Sequence, residues 1–402
     1  MAALFVLLTG CAQALSTQGV KPASAPATGA SVISTQALAA APVNPPSAAA
    51  SINTDQVPSA KDEYRNDAPA KAPEKLLPHI ALILPLGSRT FGKVANAVKQ
   101  GFQAGATADG KNAPPFRVYA ADDDTGSLAT QYRRAAAEGA SAIVGGVTRD
   151  GANIMARESG YVPSLALNAP AGTNDGDLPE RFFYVSLNLD WEARLAARTA
   201  ANEGLRRVAV VTAGTPLARR VQDSFEKEWI RLGGEIAVRL AVSGELSEGP
   251  RVTAAMEKAT ADVAFLAAEV NVARFVRPYL PAGMPVFSTS LTIDPRADPV
   301  ANLDLESVRF MEMPWFVQPD HPAVMAYAKP AEPMPIDYER LYALGIDAWR
   351  LAQLIIPADK PKNVPALDGV TGRITQEGHQ FVRMLASGEM RDGRPVLYKP
   401  AE

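Results

Sequence analysis

Cysteine and histidine are almost absent from this 402-residue sequence, which holds one of the first and three of the second. A single thiol forbids an intrachain disulfide and removes Cys-rich zinc and iron–sulfur sites. The histidines, at 79, 321 and 379, are too scattered to gather on a metal. Net charge is small as well, since 40 Lys and Arg stand against 43 Asp and Glu and leave −3. Without a basic block the chain is not expected to bind nucleic acid, which needs a positive footprint for phosphates. Catalytic signatures are missing too: no Gly-x-Ser-x-Gly elbow, His-Glu-x-x-His, Walker loop or Gly-x-Gly-x-x-Gly occurs. Ser224 and Lys227 match Ser-x-x-Lys but have no Lys-Thr-Gly or Ser-Asp-Asn partner and lie in an amphipathic helical pattern. Asp122-Asp123-Asp124 could begin a calcium loop, but the sixth and twelfth positions hold Ser127 and Arg133 where Gly and Glu are needed. These acids are expected to cap a helix. Neither an enzyme nor a cofactor is expected.

The lone cysteine is informative by position. Cys11 follows the apolar run Ala2 to Leu8 and the small pair Thr9-Gly10. That run is too short to cross a bilayer, which takes roughly 20 apolar residues. It does resemble the apolar core of a secretory signal. Leu8-Thr9-Gly10-Cys11 resembles the bacterial lipobox, in which the thiol is the nucleophile for the lipid and small residues admit the peptidase. The segment departs from a secretory signal in starting with uncharged Met1-Ala2-Ala3. The expectation is a signal at 1–10, then a mature protein that begins at a lipidated Cys11 and is held to a membrane by its acyl chains.

Residues 12–77 are dominated by Ala, Pro, Ser and Thr, 36 of 66, with Tyr64 as the one aromatic. Such a composition buries too little apolar surface to offset chain entropy, so residues 11–77 are expected to form a disordered tether. As a coil it would span roughly 45 Å, and stretched as polyproline II about 200 Å.

From Pro78 apolar runs of strand length alternate with helix-period stretches. Strands are expected at His79–Leu84, Phe116–Ala120, 142–144, 162–167 and Phe182–Val185, with helices along 91–102 and 127–138. The pattern then repeats, with strands at 207–211, 235–240, 263–266 and 285–288 and helices at 191–203, 217–232, 250–260 and 269–280. A long helix at 338–356 follows both units and is expected to return to the first. Strands buried on both faces argue for parallel sheets, so the fold class is α/β with two Rossmann-like lobes. The body is expected over 78–402, with lobe 1 at about 78–187 and 314–370 and lobe 2 at about 188–313 and 371–402.

Particular stretches carry a family resemblance. Residues 119–125, Gln131 and 139–146 resemble the second strand, helix and third strand of type I periplasmic binding proteins, which hold ligand between two lobes. More specific are Asp304 to Trp315, ending in Met313-Pro314-Trp315; Arg340 to Ala348, with Leu344-Gly345-Ile346-Asp347-Ala348; and Gly369 to Ile374. These are similar to the LppC/LpoA lipoproteins, the penicillin-binding protein activators, over about residues 78–402. The resemblance implies an outer-membrane lipoprotein on the periplasmic face that stimulates a class A penicillin-binding protein, a peptidoglycan synthase. Longer members carry a helical-repeat domain before this module. Here the 66-residue segment stands in that place, so the anchor, the tether and the two-lobed module are what carries over.

In open α/β sheets ligands bind beyond the carboxyl ends of the strands. Those ends supply the candidate cleft residues Ser88, Gly145, Gly146, Thr148 and Asn168 in the first lobe, and Thr215, Glu269 and Ser290 in the second. Glycines permit close backbone approach, and hydroxyls and amides at helix starts can hold a carboxylate. The same residues cap helices in ordinary βα turns, so a small-molecule ligand, for instance an amino acid, is the lesser expectation.

Overall fold

The structure, a computed structural model, describes residues 77–122, 124–172, 174–357 and 364–399. The expected signal, Cys11 and nearly all of the expected tether lie outside the described residues.

His-Ile-Ala-Leu-Ile-Leu shows why the first sheet forms. In β1 (His79–Leu84) all six residues are buried. Ile80, Leu82 and Leu84 enter one core layer while Ala81 and Ile83 enter the opposite one, as a parallel strand covered on both faces must. The first unit continues through α1 (Gly92–Asp109), β2 (Phe116–Ala120), α2 (Thr125–Ala137), β3 (Ala140–Gly145), α3 (Arg149–Glu158), β4 (Ser164–Ala166) and β5 (Phe182–Val185). The second runs through α4 (Leu189–Asn202), β6 (Arg207–Ala213), α5 (Pro216–Arg231), β7 (Glu235–Val242), α6 (Gly249–Ala259), β8 (Val263–Ala267), α7 (Val270–Val276), β9 (Val286–Thr289) and β10 (Val308–Glu312). Then follow α8 (Pro314–Val317), α9 (Pro322–Met325), α10 (Ile336–Ile355), β11 (Leu367–Gly369), β12 (Gly372–Glu377), β13 (Gln380–Met384), β14 (Ala386–Arg391) and β15 (Arg394–Leu397).

The strand orders are β11-β12-β13-β5-β4-β3-β1-β2 and β15-β14-β10-β9-β8-β6-β7. The chain crosses between sheets after β5, after β10, and at Leu385 between β13 and β14. Two expectations are corrected. The sheets are mixed rather than parallel throughout, because β11–β12–β13 and β10–β14–β15 pair antiparallel at the sheet flanks. Residues 371–402 do not all join the second lobe, since β12 and β13 extend the first sheet. The reason is that β13 lies parallel to β5, with Phe381 opposite Val185 and its ring stacked on Phe183 at 5.6 Å.

Helix α10 packs on α1 closely enough that both need glycine. A Cβ at Gly101 would lie 1.8 Å from the Tyr342 carbonyl oxygen, and one at Gly345 would lie 2.3 Å from that of Val98. Phe102 and Trp349 meet edge to face at 5.1 Å one turn farther on, so the helix that follows the second unit closes the core of the first.

Candidate functional site

Three of the first-lobe candidates spend their side chains on their own turns. Ser88 is buried, and its Oγ accepts from the amides of Thr90 and Phe91 at 3.1 and 2.6 Å. Thr148 caps α3 by accepting from the Gly151 amide at 3.0 Å. The Asn168 side chain donates to the Val147 carbonyl at 3.1 Å and accepts from the Ala169 amide at 2.9 Å. The glycines answer to packing: a Cβ on Gly145 would sit 2.6 Å from the Ile83 carbonyl oxygen, and Gly146 holds φ +62° against α3. Asp124 caps α2 through the Ser127 amide at 2.7 Å, as the sequence led us to expect, while Asp123 lies outside the described residues.

A cavity of about 140 Å³ does open at these strand ends, lined in part by Phe91, Leu128 and Thr148 and by the carboxylates of Asp122, Asp124 and Asp150. Three acids oppose the carboxylate ligand that hydroxyls and helix starts would favour here.

In the second lobe the candidates come together only partly. Thr215 caps α5 and also donates to Glu269 at 2.6 Å, tying two neighbouring turns. Ser290 points elsewhere, into the junction of the lobes. Its amide donates to the buried Glu192 of α4 at 2.9 Å, and its carbonyl accepts from Arg340 of α10 at 3.1 Å.

That junction is where the sequence motifs converge. Arg340 reaches back to Glu312 at the end of β10, with Nη2 at 2.7 Å from Oε2, and both groups are buried. Burial works against the Arg340 charge, but Glu312 outweighs it and holds the pKa above the usual arginine range. Glu192 lies in the same pocket. Burial, then the Glu312 charge, push its pKa up to about 7 against the pull of Ser290 and Arg383. Arg383 of β13 donates to the carbonyls of Ser186 and Thr371 at 3.1 and 3.2 Å, and burial lowers its pKa. Charges from α4, β10, α10 and β13 therefore share one water-poor volume between the sheets.

Asp347 completes the junction. It is wholly buried and accepts from the Val370 amide, the Thr371 amide and the Thr371 hydroxyl at 3.0, 2.8 and 2.7 Å. Burial raises its pKa, with those three bonds opposing. From the other side the Trp315 amide donates to the Val370 carbonyl at 3.0 Å. The Trp315 indole donates to Glu339 at 2.9 Å, and the Lys329 ammonium sits 3.3 Å from its ring centroid. Burial lowers the Lys329 pKa to about 8 despite the nearby Glu339. Met-Pro-Trp, Leu-Gly-Ile-Asp-Ala and the Gly369–Ile374 stretch thus meet at one turn, Val370-Thr371. Sequence reasoning did not assign Glu192, Glu312, Arg383 or Asp347 to any site. The available signal was an aspartate amid the apolar residues of a long helix.

Two α/β lobes joined by three crossings, with strand ends facing a shared junction, define a type I periplasmic binding protein-like module. The chain belongs to the LppC family: the sequence profile described as "LppC putative lipoprotein" matches residues 74–245 and 246–390. Penicillin-binding protein activator LpoA of Enterobacter sp. (strain 638) is 25% identical over 282 residues, which cover 59% of this chain and 38% of that protein. The Pantoea ananatis protein of the same name is 24% identical over 329 residues, covering 70% and 47%. The chain therefore spans less than half the length of these curated relatives. Among solved structures, a Chromobacterium violaceum protein described provisionally as a branched-chain amino acid ABC transporter is 32% identical with a TM-score of 0.68, covering 78% of this chain and 100% of that one. The C-domain of Haemophilus influenzae LpoA, described as a regulator of PBP1A, has the same fold, with a TM-score of 0.64 at 20% identity over 80% of this chain and 100% of that one.

Proposed function

We propose that this protein is a lipid-anchored regulator that binds and stimulates a class A penicillin-binding protein, acting from the periplasmic face of the outer membrane without turning over a substrate of its own. Family membership supports the reading, and so do relatives named as penicillin-binding protein activators. The observation that carries it is the convergence of the motifs. The stretches most like the family build a buried interlobe junction, while the strand-end hydroxyls that would greet a solute are committed to a turn, at Ser88, and to helix caps, at Thr148 and Thr215. A rigid two-lobed body presented to a partner enzyme uses the first feature and has no need of the second.

The test is reconstitution. The lipidated full chain should co-purify with a class A penicillin-binding protein and raise its glycan polymerisation or crosslinking rate. Failure to bind or stimulate any such synthase from the same cell would overturn the reading.

A solute receptor is the second reading, favoured by the 32% identity to the Chromobacterium violaceum protein over its full length and by the cavity at the first-lobe strand ends. It requires a ligand-dependent rise in melting temperature, since binding to the native state alone adds stability as RT ln(1 + [L]/Kd). A flat screen of amino acids, muropeptides and sugars would remove it.

A further inference from the structure

We infer that the open edge of the first sheet, strand β2 with the groove beside α2, is a docking site for an extended segment of the synthase in which acidic and apolar residues alternate, added to the sheet as a further strand. That the partner is a synthase rests on the reading above; the open edge and the charge of its occupant do not.

The ladder shows what the edge offers. The Ile80 amide donates to the Pro115 carbonyl and the Ala121 amide to the Leu84 carbonyl, each at 2.9 Å. Between those bonds the register runs from Ile80 opposite Phe116 to Leu84 opposite Ala120 without a shift. Backbone groups alternate sides along a strand, so Arg117 and Tyr119 bond to β1, while Phe116, Val118 and Ala120 turn their amides and carbonyls to the open side. No strand among the described residues pairs there.

Natural sheets blunt exposed edges, and the other three ends of these two sheets are blunted. Strand β11 is three residues long and includes Asp368, and β15 holds Pro395. The pairing of β7 shifts register opposite Val208 and Ala209, and its Ala241 carbonyl already accepts from Arg251 at 2.6 Å. Strand β2, Phe-Arg-Val-Tyr-Ala, has no proline, glycine or register shift.

The groove sets the chemistry of the occupant. It holds about 310 Å³ and is lined by Arg117 to Ala120 of β2 and by Gln131 and Arg134 of α2. That lining has two guanidiniums and no carboxylate. Glu138 lies buried behind it with both oxygens taken, Oε2 by the Tyr119 hydroxyl and Oε1 by Arg134, each at 2.7 Å. Arg117 is exposed and forms no hydrogen bond or ion pair among the described residues. Carboxylates on this face of an added strand would meet both guanidiniums. On the other face Phe116 and Val118 are half-buried, with the Phe116 ring edge-on to Phe102 and Trp349, so apolar side chains belong there. Main-chain bonds then give affinity, and the alternating side chains give specificity.

Fluorescence anisotropy of the full chain tests the edge with three labelled pentapeptides: Val-Glu-Val-Glu-Val, the same sequence N-methylated throughout, and Val-Lys-Val-Lys-Val. The first should bind saturably and the other two at least about tenfold more weakly, since one lacks backbone donors and the other carries the wrong charge. Val118→Pro removes an edge amide without removing a bond to β1, and should weaken binding at least about tenfold. Arg117→Glu leaves the backbone intact and should weaken it about fivefold, by less in high salt. Absence of saturable binding, equal affinity for the lysine peptide, or indifference to Arg117→Glu would each overturn the edge as a docking site. In co-purification with a class A penicillin-binding protein, both variants should retain less synthase than the parent. Equal retention would overturn this surface and leave the proposed function standing. A parent that retains no synthase would overturn that function, and the peptide titration alone then decides the edge.

Discussion

Arg340 and Glu312 form a buried ion pair, 2.7 Å between Nη2 and Oε2, that joins the helix closing the first lobe to the last parallel strand of the second. Removing one partner strands the other in a volume that already holds Glu192. Arg340→Met should therefore cost about 3–5 kcal/mol of stability, while Arg340→Met combined with Glu312→Leu should recover most of the loss. Equilibrium urea denaturation of the single and double variants measures both. A single variant as stable as the parent would show that the pair does not hold the junction.

Glu192 makes stability depend on pH in a stated direction. Its pKa in the fold is about 7, against 4.5 when free, so the folded state binds the extra proton between those values. Stability should fall as pH rises from about 4.5 to about 7, by on the order of 3 kcal/mol. Glu192→Gln should flatten that slope in pH-dependent denaturation. The opposite slope appears lower on the scale at Glu228. Arg231 holds the pKa of this group down to about 2, against burial and with help from Arg198, so its contribution is lost as pH falls from about 4.5 toward 2.

Gly101 and Gly345 allow α1 and α10 to touch backbone to backbone. Alanine at either position places a methyl within 2.3 Å of a carbonyl oxygen, which neither helix can move without disturbing Phe102 and Trp349. Each substitution should destabilise by about 1–3 kcal/mol or more, read as a lower melting temperature. Gly110→Ala, where nothing lies within 4 Å but φ is +57°, gives a comparison in which only backbone strain acts.

The caps separate a scaffold from a receptor. Thr148→Ala and Thr215→Ala should each cost about 0.5–2 kcal/mol through lost capping bonds, and Ser88→Ala about 1–3 kcal/mol through two turn amides left without their acceptor. At a temperature where the variants remain folded, the proposed stimulation of a class A penicillin-binding protein should be unchanged. A selective loss of stimulation with normal stability would place these hydroxyls in the functional surface.

Cys11→Ser should move the protein from the membrane fraction to the soluble one, because no thiol remains to carry lipid. Fractionation with radiolabelled palmitate checks this directly. Retention in the membrane fraction would point to a different anchor.

Much of the α/β core could be read from the residues. His79–Leu84 and Phe182–Val185 occupy the positions their apolar runs predict, because a strand covered on both faces leaves an uninterrupted hydrophobic signature, and Phe116–Ala120 also lies where expected, as an edge strand with only Tyr119 buried. The five C-terminal strands were missed. In β12 buried and exposed residues alternate, and β14 mixes Glu389 and Arg391 with small residues, so neither has the signature of a strand covered on both faces. Their turn signals were present in Glu377-Gly378 and Asp392-Gly393, where both glycines have positive φ. The candidate cleft residues were found at the strand ends where expected, but their side-chain partners were beyond reach. Whether Ser88 faces a ligand or two amides of its own turn is a matter of ångströms.

The sequence alone determined the class of protein, because hydrophobic periodicity and a few dense motifs survive without coordinates. It also placed the chain's one thiol, Cys11, directly after a short apolar run, which is the ground for the proposed lipid anchor. Only the tertiary structure decided what the motifs do. Glu192, Glu312, Arg340, Asp347 and Arg383 span 192 positions in the chain, and no local pattern links them. Folding brings them into one dry volume, where burial makes each charge depend on the others. Coupling of that kind is created by the low dielectric of the assembled interior, and it has no counterpart in the linear order of the residues.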